Sequence, residues 1–387
     1  MKNDTSRRNF LAAGLALPAA GLASTTSSPN PPAPAPPQAA APSGKISYRT
    51  LGKTGMKVST VGMGCMITTD STVITRAADM GINYFDSSRG YQGGQNERMV
   101  GAALKSRRKD LFISSKCDGP WTGASILAQL DTTLKELGTD YLDVWLLHGL
   151  GNPEQITDEL VEAQRKAKQA GKVRFIGMST HNLPNIVDRV IETKLEVVQP
   201  QINYTSPGAT YLPAVEKLAK AGVGIVAMKV MAAARGRRGG PPAPARTANS
   251  WAAALKWAIN NPNIATTVPS MTDNEQLDQN FAVMGQSFTD ADKQVLSARL
   301  EEIKPYFCRM CGQCSGQCPK GLPVSDMVRF AMYADGYGQF ALGRENFQRM
   351  ALEHQQVRCG DCTECTVKCP NGVHVAQQLI RAQELFA

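Results

Sequence analysis

Short apolar runs and amphipathic stretches alternate along the chain from about residue 58 onward. Eight runs rich in β-branched and apolar residues predict buried strands, at 58–64, 82–85, 111–115, 141–147, 173–178, 197–202, 223–228 and 264–268. The stretches between them, such as "ASILAQLDTTLKELG", repeat apolar residues at helical spacing. Glycines at 81, 138, 171 and 222 stand where such helices end. This alternation predicts an α/β fold, a (β/α)8 TIM barrel, over residues 45–300.

A doubly wound sheet is the alternative fold for the same alternation. It is weakened because the pair Gly62 and Gly64 lacks the third glycine and the long following helix of a dinucleotide-binding fingerprint. Ahead of the first barrel strand, residues 48–58 ("YRTLGKTGMKV") predict a β-hairpin with its turn at Gly52–Gly55. A hairpin in that position could plug the bottom of the barrel.

Polar side chains follow three neighbouring strands where each strand ends. Asp86 and Tyr91 follow the second strand, Lys116 the third and His148 the fourth. In a parallel barrel these exits share one face, where the chemistry of the fold resides. A Tyr hydroxyl can protonate a carbonyl oxygen, and a neighbouring ammonium is expected to lower its pKa. Each residue alone is more often structural, but four at matching exits predict catalysis.

These segments resemble the aldo/keto reductase family over roughly residues 46–285, in "GINYFDSSRGYQGGQNERMVGAAL", "LDVWLLHG" and "GKVRFIGMST". The resemblance implies hydride transfer between a nicotinamide cofactor and a small carbonyl or alcohol substrate, with Asp86, Tyr91, Lys116 and His148 as the catalytic tetrad. It also implies cofactor contacts from five further residues, namely Ser179, Gln199, Lys229, Ser270 and Asn280.

The choice between NAD and NADP stays open from the sequence. Family members that select NADP usually carry basic residues where this chain has Ser270 and Gln276, both uncharged. Four arginines of the loop "ARGRRGGPPAPAR" could supply the missing charge, or could form an ordinary solvated basic loop; they are Arg235, Arg237, Arg238 and Arg246.

Eight of the ten cysteines lie in two C-x2-C-x2-C-x3-C-P runs, a pattern specific for paired 4Fe–4S clusters. Since the fourth cysteine of a run commonly ligates the other cluster, one set is expected to be Cys308, Cys311, Cys314 and Cys369, and the other Cys359, Cys362, Cys365 and Cys318. Zinc is the weaker alternative. Predicted helices near 325–334 and 344–355 make residues 301–387 resemble an α-helical ferredoxin module. Cys65 and Cys117 are expected to be packing residues.

Residues 1–44 differ from the rest in composition. Arg7 and Arg8 precede a weak apolar stretch with a small-residue exit, which resembles a twin-arginine export signal and predicts a periplasmic or exported protein. The stretch is too short and too rich in Gly and Pro to span a membrane, and a Pro/Ala-rich linker follows it. The net charge of +9 is scattered without a basic stripe, which argues against nucleic-acid binding.

Two functions are compatible with these features. In the first, the barrel is a working oxidoreductase, and the clusters pass electrons to a redox partner or only stabilise the tail. In the second, the protein is an iron–sulfur electron-transfer protein with a docking or non-catalytic barrel. Nicotinamides carry two electrons as hydride and a 4Fe–4S cluster carries one, so a direct exchange between them is unfavourable. The complete tetrad favours the first function.

Overall fold

Eight parallel strands form the centre of the molecule. The computed structural model describes residues 45–232, 247 and 249–387; the predicted signal and linker (1–44) and the four loop arginines lie outside the described residues. The strands follow one another around the sheet in chain order: β3 (Met63–Gly64), β4 (Tyr84–Asp86), β5 (Phe112–Cys117), β6 (Leu142–Leu147), β7 (Val173–Thr180), β8 (Val197–Pro200), β9 (Gly224–Ala227) and β10 (Thr266–Thr267).

The sheet closes between its first and last strands. Parallel bridges join Val61 to Thr267 and Gly64 to Ser270, and the Gly64 amide donates to the Pro269 carbonyl at 3.0 Å. A side chain at Gly64 would place its Cβ 2.4 Å from the Val268 carbonyl oxygen, so this closure requires glycine. The predicted barrel is confirmed.

Helices surround the barrel and continue into the tail. Those of the barrel are α1 (Ser71–Asp79), α2 (Gln95–Leu104), α3 (Gly123–Leu137), α4 (Asp158–Gln169), α5 (Leu183–Glu192), α6 (Gly208–Lys220), α7 (Ser250–Ile259), α8 (Asn274–Ala282) and α9 (Asp290–Ile303). The glycines at 81, 138, 171 and 222 all have positive φ just after a helix, as the sequence predicted. The predicted domain boundary at 300/301 lies within α9.

A hairpin of β1 (Tyr48–Thr50) and β2 (Lys57–Ser59) precedes the barrel. Leu51 and Met56 from this hairpin join the cluster of side chains that fills the barrel interior, and the Lys53 amide donates to the Gly222 carbonyl at 2.9 Å. The hairpin therefore covers the end of the barrel opposite the strand exits. The predicted strand 58–64 was wrong in its extent, because residues 57–59 pair with β1 and the barrel pairing of this run begins only at the Val61 bridge.

The tail folds around an apolar core of its own. It contains α10 (Val324–Asp335), α11 (Phe340–Gln348), α12 (Leu352–Gln356) and α13 (Val375–Phe386). Phe347 and Phe386 pack in this core with ring centroids 5.7 Å apart. The single helix predicted at 344–355 is two helices, with a break at residues 349–351. None of the helices in the described part of the chain is long and apolar enough to cross a membrane.

Candidate active site and iron–sulfur ligands

A buried ion pair lies at the exits of β4 and β5. Lys116 Nζ contacts the two carboxylate oxygens of Asp86 at 2.8 and 2.7 Å and donates to the Ser87 carbonyl at 2.7 Å. Ser114 Oγ also donates to Asp86 at 2.7 Å. Both charged side chains are almost fully buried, and their pairing and hydrogen bonds compensate for their lost hydration.

Tyr91 lies above this pair at the start of a short 3-10 turn, Tyr91–Gly94. Lys116 Nζ is 4.9 Å from the centroid of its ring. The turn is tied to the neighbouring loop because Gln92 Nε2 donates to the carbonyls of Met66 and Thr68, at 3.2 and 2.7 Å. Tyr91 is therefore held at the mouth of the barrel, beside the ammonium.

The pKa of Tyr91 is raised well above its usual value by burial and then by the Asp86 carboxylate. The expectation that Lys116 would lower this pKa was wrong. The reason is that burial of the hydroxyl and the neighbouring Asp86 carboxylate together outweigh the effect of the ammonium in the absence of ligand. The hydroxyl is thereby kept protonated and able to donate.

A contact with a carboxylate orients His148. Its Nδ1 lies 2.6 Å from Asp118 Oδ1 and 3.3 Å from Ser88 Oγ, and its ring meets that of Tyr91 edge-on with centroids 5.9 Å apart. Burial acts to raise the pKa of Asp118, but the hydrogen bond and charge of His148 hold it below its usual range. With Nδ1 engaged, Nε2 is the ring nitrogen left to contact a substrate oxygen.

Ser179 and Gln199 lie directly opposite each other on β7 and β8 and are buried. Ser179 Oγ accepts from the Gly149 amide at 2.9 Å and keeps its own proton to donate. Among the described residues, neither amide atom of Gln199 has a hydrogen-bond partner. A buried primary amide with an unused donor and acceptor matches the carboxamide of a nicotinamide, so the residues present fit this cofactor.

The other three predicted cofactor residues are spread over two strand exits and a helix. Lys229, which follows β9, contacts His181 Nε2 at 3.0 Å and Tyr333 of α10 at 3.2 Å. Ser270 bridges to Gly64 at the barrel seam, and Asn280 is fully buried on α8. Lys229 is thus engaged at the border with the tail.

The thiols of the two cysteine runs fall into two groups. Burial raises the pKa of Cys308 to about 12, and the thiols that add to this rise are Cys314, Cys311 and Cys369. Burial likewise raises the pKa of Cys359 to about 11, with contributions from Cys318, Cys362 and Cys365. Each group combines three cysteines of one run with the fourth of the other; the binding of a cluster by each group stays a prediction. Gln317 links the runs, because it accepts from the Lys368 amide at 2.8 Å.

Within the ranges described, no group of three or more His, Cys, Asp or Glu side chains is arranged around a single metal ion. A cubane is held by four cysteine thiolates, and the doubled C-x2-C-x2-C-x3-C-P spacing fits such clusters better than zinc. Cys65 and Cys117 are fully buried in the barrel with raised pKa values, in keeping with packing roles.

Sequence comparison matches residues 68–298 to the profile of the aldo/keto reductase family. The chain belongs to this family. As an aldo/keto reductase it is an NAD(P)-dependent oxidoreductase, and small carbonyl compounds fit its class of site. Residues 307–374 match a second profile, that of a 4Fe-4S dicluster domain.

Relatives and solved structures agree with the family. L-galactose dehydrogenase from Arabidopsis thaliana is 30% identical over 306 residues, covering 67% of this chain and 96% of that protein. L-glyceraldehyde 3-phosphate reductase from Escherichia coli is 26% identical over 218 residues, covering 49% and 62%. An aldo-keto reductase from Bacillus halodurans superposes with a TM-score of 0.57 at 25% identity, covering 65% of this chain and 96% of that one.

Four polar residues of this mouth were not identified from the sequence. Asp118 follows Lys116 by two positions at the same strand exit, a signal that could have been used. His181 directly follows the end of β7 and offered the same signal. Arg329 and Tyr333 lie on α10, more than a hundred residues from His181 and Lys229. No local sequence pattern therefore predicts these contacts.

Proposed function

We propose that the barrel reduces a small carbonyl compound, or oxidises the corresponding alcohol, by hydride transfer with a nicotinamide cofactor. The observation that carries this proposal is the stacking of Tyr91 above the buried Lys116–Asp86 pair, with the His148 ring edge-on to the tyrosine. In this arrangement the protonated Tyr91 hydroxyl faces the mouth of the barrel, and the charges of Lys116 and Asp86 beneath it balance each other.

Each residue of the group has a defined task in this reaction. When bound, the nicotinamide supplies or accepts the hydride. The Tyr91 hydroxyl gives its proton to the carbonyl oxygen and recovers it in the reverse direction. Lys116 lies beneath the ring and stabilises the phenolate that remains, and Asp86 fixes the position of the ammonium. His148, oriented by Asp118, hydrogen-bonds the substrate oxygen through Nε2.

The proposal is tested with anaerobically purified protein and the variant Tyr91→Phe. Wild type should oxidise NADH or NADPH in the presence of an aldehyde. The variant should lose roughly 10²–10⁴-fold in kcat, because it lacks the proton donor. The affinity of Tyr91→Phe for the nucleotide should equal that of wild type. Undiminished turnover by Tyr91→Phe would exclude Tyr91 as the proton donor.

We propose further that NADH binds at least as tightly as NADPH. Gln276, at a position that is often basic in NADP-selecting relatives, is held by Thr272 and Asp273 at 2.8 and 2.7 Å. Asp273 caps α8 and Glu275 lies in its first turn, so two carboxylates stand where a 2′-phosphate would need cations. Dissociation constants for both nucleotides test this, with Arg237→Gln measuring any help from the loop arginines.

For the tail we propose two 4Fe–4S clusters on the two groups of cysteines. Iron and acid-labile sulfide assays on anaerobic protein should give about eight of each per chain. Zinc in place of iron would refute the assignment.

Coupling between the clusters and the barrel is a separate proposal, and absorbance spectroscopy tests it. Bleaching of the clusters by NAD(P)H alone supports electron flow between barrel and tail. Bleaching without any turnover of aldehydes would instead favour the electron-transfer protein with a non-catalytic barrel.

We also propose export through the twin-arginine route, based on Arg7 and Arg8 and the apolar stretch that follows. Fractionation of cells that produce the full chain should recover the protein in the periplasm. The double substitution Arg7→Lys and Arg8→Lys should retain it in the cytoplasm. Equal distribution of the two proteins would contradict this route.

A further inference from the structure

The tail contributes two side chains to the mouth of the barrel. From α10, Tyr333 places its hydroxyl 3.2 Å from Lys229 Nζ, and Arg329 places Nη1 3.4 Å from His181 Nδ1. Lys229 Nζ is in turn 3.0 Å from His181 Nε2. These four side chains, His181, Lys229, Arg329 and Tyr333, are termed here the donor cluster. All four are at least partly buried.

The donor cluster has more hydrogen-bond donors than acceptors. Burial and then the charges of Lys229 and Arg329 hold the pKa of His181 well below its usual value, so its ring is neutral. A neutral imidazole accepts at one nitrogen only, yet a cationic donor faces each of its two nitrogens. One of these two contacts therefore lacks an acceptor.

The positive charge of the cluster is also under-compensated. In the described part of the chain, no carboxylate contacts Lys229 Nζ, whose partners are the imidazole and a phenol. Arg329 has one acid partner, Asp326, at 2.9 Å, and its Nε is buried without a hydrogen-bond partner. Two partly desolvated cations with one carboxylate are unfavourable unless an anion joins them.

The cluster lies beside the reacting groups. His181 directly follows β7 and Lys229 follows β9, so both lie at the barrel face where Tyr91 and His148 follow β4 and β6. The contribution of Tyr333 to the raised pKa of Tyr91 agrees with this placement. A ligand held by the cluster would therefore lie next to the proton donor of the barrel.

We infer that the donor cluster is an oxyanion site that takes the carboxylate or phosphate group of an anionic carbonyl substrate, with Arg329 as its specificity-determining residue. This inference rests on the proposed reductase function. The tail then completes the substrate pocket and selects charged aldehydes or ketones over neutral ones. The same oxyanion chemistry could instead come from the diphosphate of the cofactor, since Lys229 lies in the loop predicted to line it.

Two matched substrates distinguish a substrate anion from the cofactor diphosphate as the ligand of this site. Both are assayed with the full-length, cluster-loaded protein. The pair is 4-oxobutanoate, which carries a carboxylate, and butanal, which does not. Arg329→Gln should lower kcat/KM for 4-oxobutanoate roughly tenfold to hundredfold, through a raised KM, because it removes a charge-assisted hydrogen bond. Butanal reduction and the dissociation constant of NAD(P)H should change less than about twofold.

Two further variants keep the result interpretable. Arg344→Gln removes an exposed arginine of the neighbouring helix α11 and should match wild type on both aldehydes. Arg329→Lys retains the charge and should keep much of the preference for 4-oxobutanoate. Equal losses on both aldehydes in Arg329→Gln would reduce Arg329 to a structural role. Weaker nucleotide binding with an unchanged preference would assign the site to the cofactor diphosphate and overturn the inference.

If neither aldehyde is reduced, the proposed function fails, and ligand binding then tests the oxyanion site on its own. Calorimetric titration with butanoate should then show binding to wild type and to Arg344→Gln, and at least roughly tenfold weaker binding to Arg329→Gln. Equal affinity, or no affinity, in wild type and Arg329→Gln would overturn the oxyanion site independently of catalysis.

Discussion

Two lysines stand at the mouth of the same barrel, and their surroundings differ. Lys116 is fully buried, contacts both oxygens of Asp86, and donates its remaining proton to a backbone carbonyl. Lys229 contacts an imidazole and a phenol, and burial lowers its pKa. One lysine belongs to a satisfied network of the barrel, and the other belongs to an unsatisfied one shared with the tail.

The Lys116 network can support catalysis without a ligand, whereas the Lys229 network lacks an acceptor that a bound ligand could provide. The Lys116 network has a partner for each of its charges, so it can position Tyr91 before any substrate arrives. The network of Lys229, His181 and Arg329 lacks an acceptor, and it is the kind of site that an anion completes. The barrel would then provide the catalytic residues, and the barrel and the tail together would provide the residues that select the substrate at the same end of the barrel.

The largest expected effect comes from breaking the satisfied network. Lys116→Met leaves the Asp86 carboxylate buried and unpaired, and should lower the free energy of unfolding by about 3–5 kcal/mol. Aldehyde reduction should fall at least ~10²-fold, because Tyr91 loses its cation. Denaturant unfolding and NAD(P)H oxidation measure the two effects.

The double variant Asp86→Asn with Lys116→Met is the control. It removes the stranded charge, so most of the stability should return while activity stays low. Recovery of activity with stability would mean that Lys116 acts only as a structural partner of Asp86.

The pH profile of reduction tests the raised pKa of Tyr91. Since the pKa of the folded protein lies well above the usual value, the hydroxyl stays protonated through the neutral and mildly basic range. The value of kcat/KM for reduction should therefore hold constant up to about pH 10, and fall only above it. An alkaline limb near pH 7–8, falling about tenfold per pH unit, would show that the cofactor or substrate lowers the pKa of the phenol.

A smaller effect is expected at the pair that orients His148. Asp118→Asn should lower kcat/KM roughly tenfold by loosening the imidazole. Its cost in stability should be about 1 kcal/mol or less, since 42% of the Asp118 side chain is exposed. Because the pKa of Asp118 is lowered in the folded protein, this stabilisation should be complete at neutral pH, begin to decline below about pH 4, and be lost as the pH falls through the lower folded-state pKa. A stability difference of the same size at pH 7 and at pH 3 would contradict this explanation.

The smallest effect on stability should come from Lys229. Lys229→Met removes an under-compensated ammonium while keeping an apolar side chain of similar length. The free energy of unfolding should stay within about 1 kcal/mol of wild type, in either direction. A loss as large as that of Lys116→Met would erase the contrast between the two networks. Unfolding of both variants in parallel makes this comparison direct.

The barrel could be predicted from the sequence because each of its strands is marked by a short local pattern of residues. Runs of β-branched residues marked the eight strands, and Asp86, Lys116 and His148 could be found because strand exits share one face. The start of the first strand was misjudged because Val58 and Ser59 run directly into the barrel residues 61–64, although residues 57–59 pair with β1 of the hairpin. Periodicity does not distinguish those partners.

The donor cluster was beyond the reach of the sequence for the opposite reason. Arg329 and His181 are 148 positions apart, and Lys229 and Tyr333 are 104 apart. Their encounter depends on how α10 packs on the barrel, which no spacing within the chain encodes. The cluster cysteines were predicted from spacing alone, and the grouping of their thiols across the two runs agrees with that prediction.

Deuterium transfer tests the central claim, direct hydride transfer in the barrel, most directly. NADH or NADPH carrying deuterium at both C4 positions is supplied to the anaerobic protein with the aldehyde that turns over. NMR then follows the alcohol. Direct transfer predicts one deuterium on the carbinol carbon, and far less of this deuterated alcohol from Tyr91→Phe at matched times. An alcohol that carries only hydrogen from water would contradict direct transfer and route the electrons through the clusters.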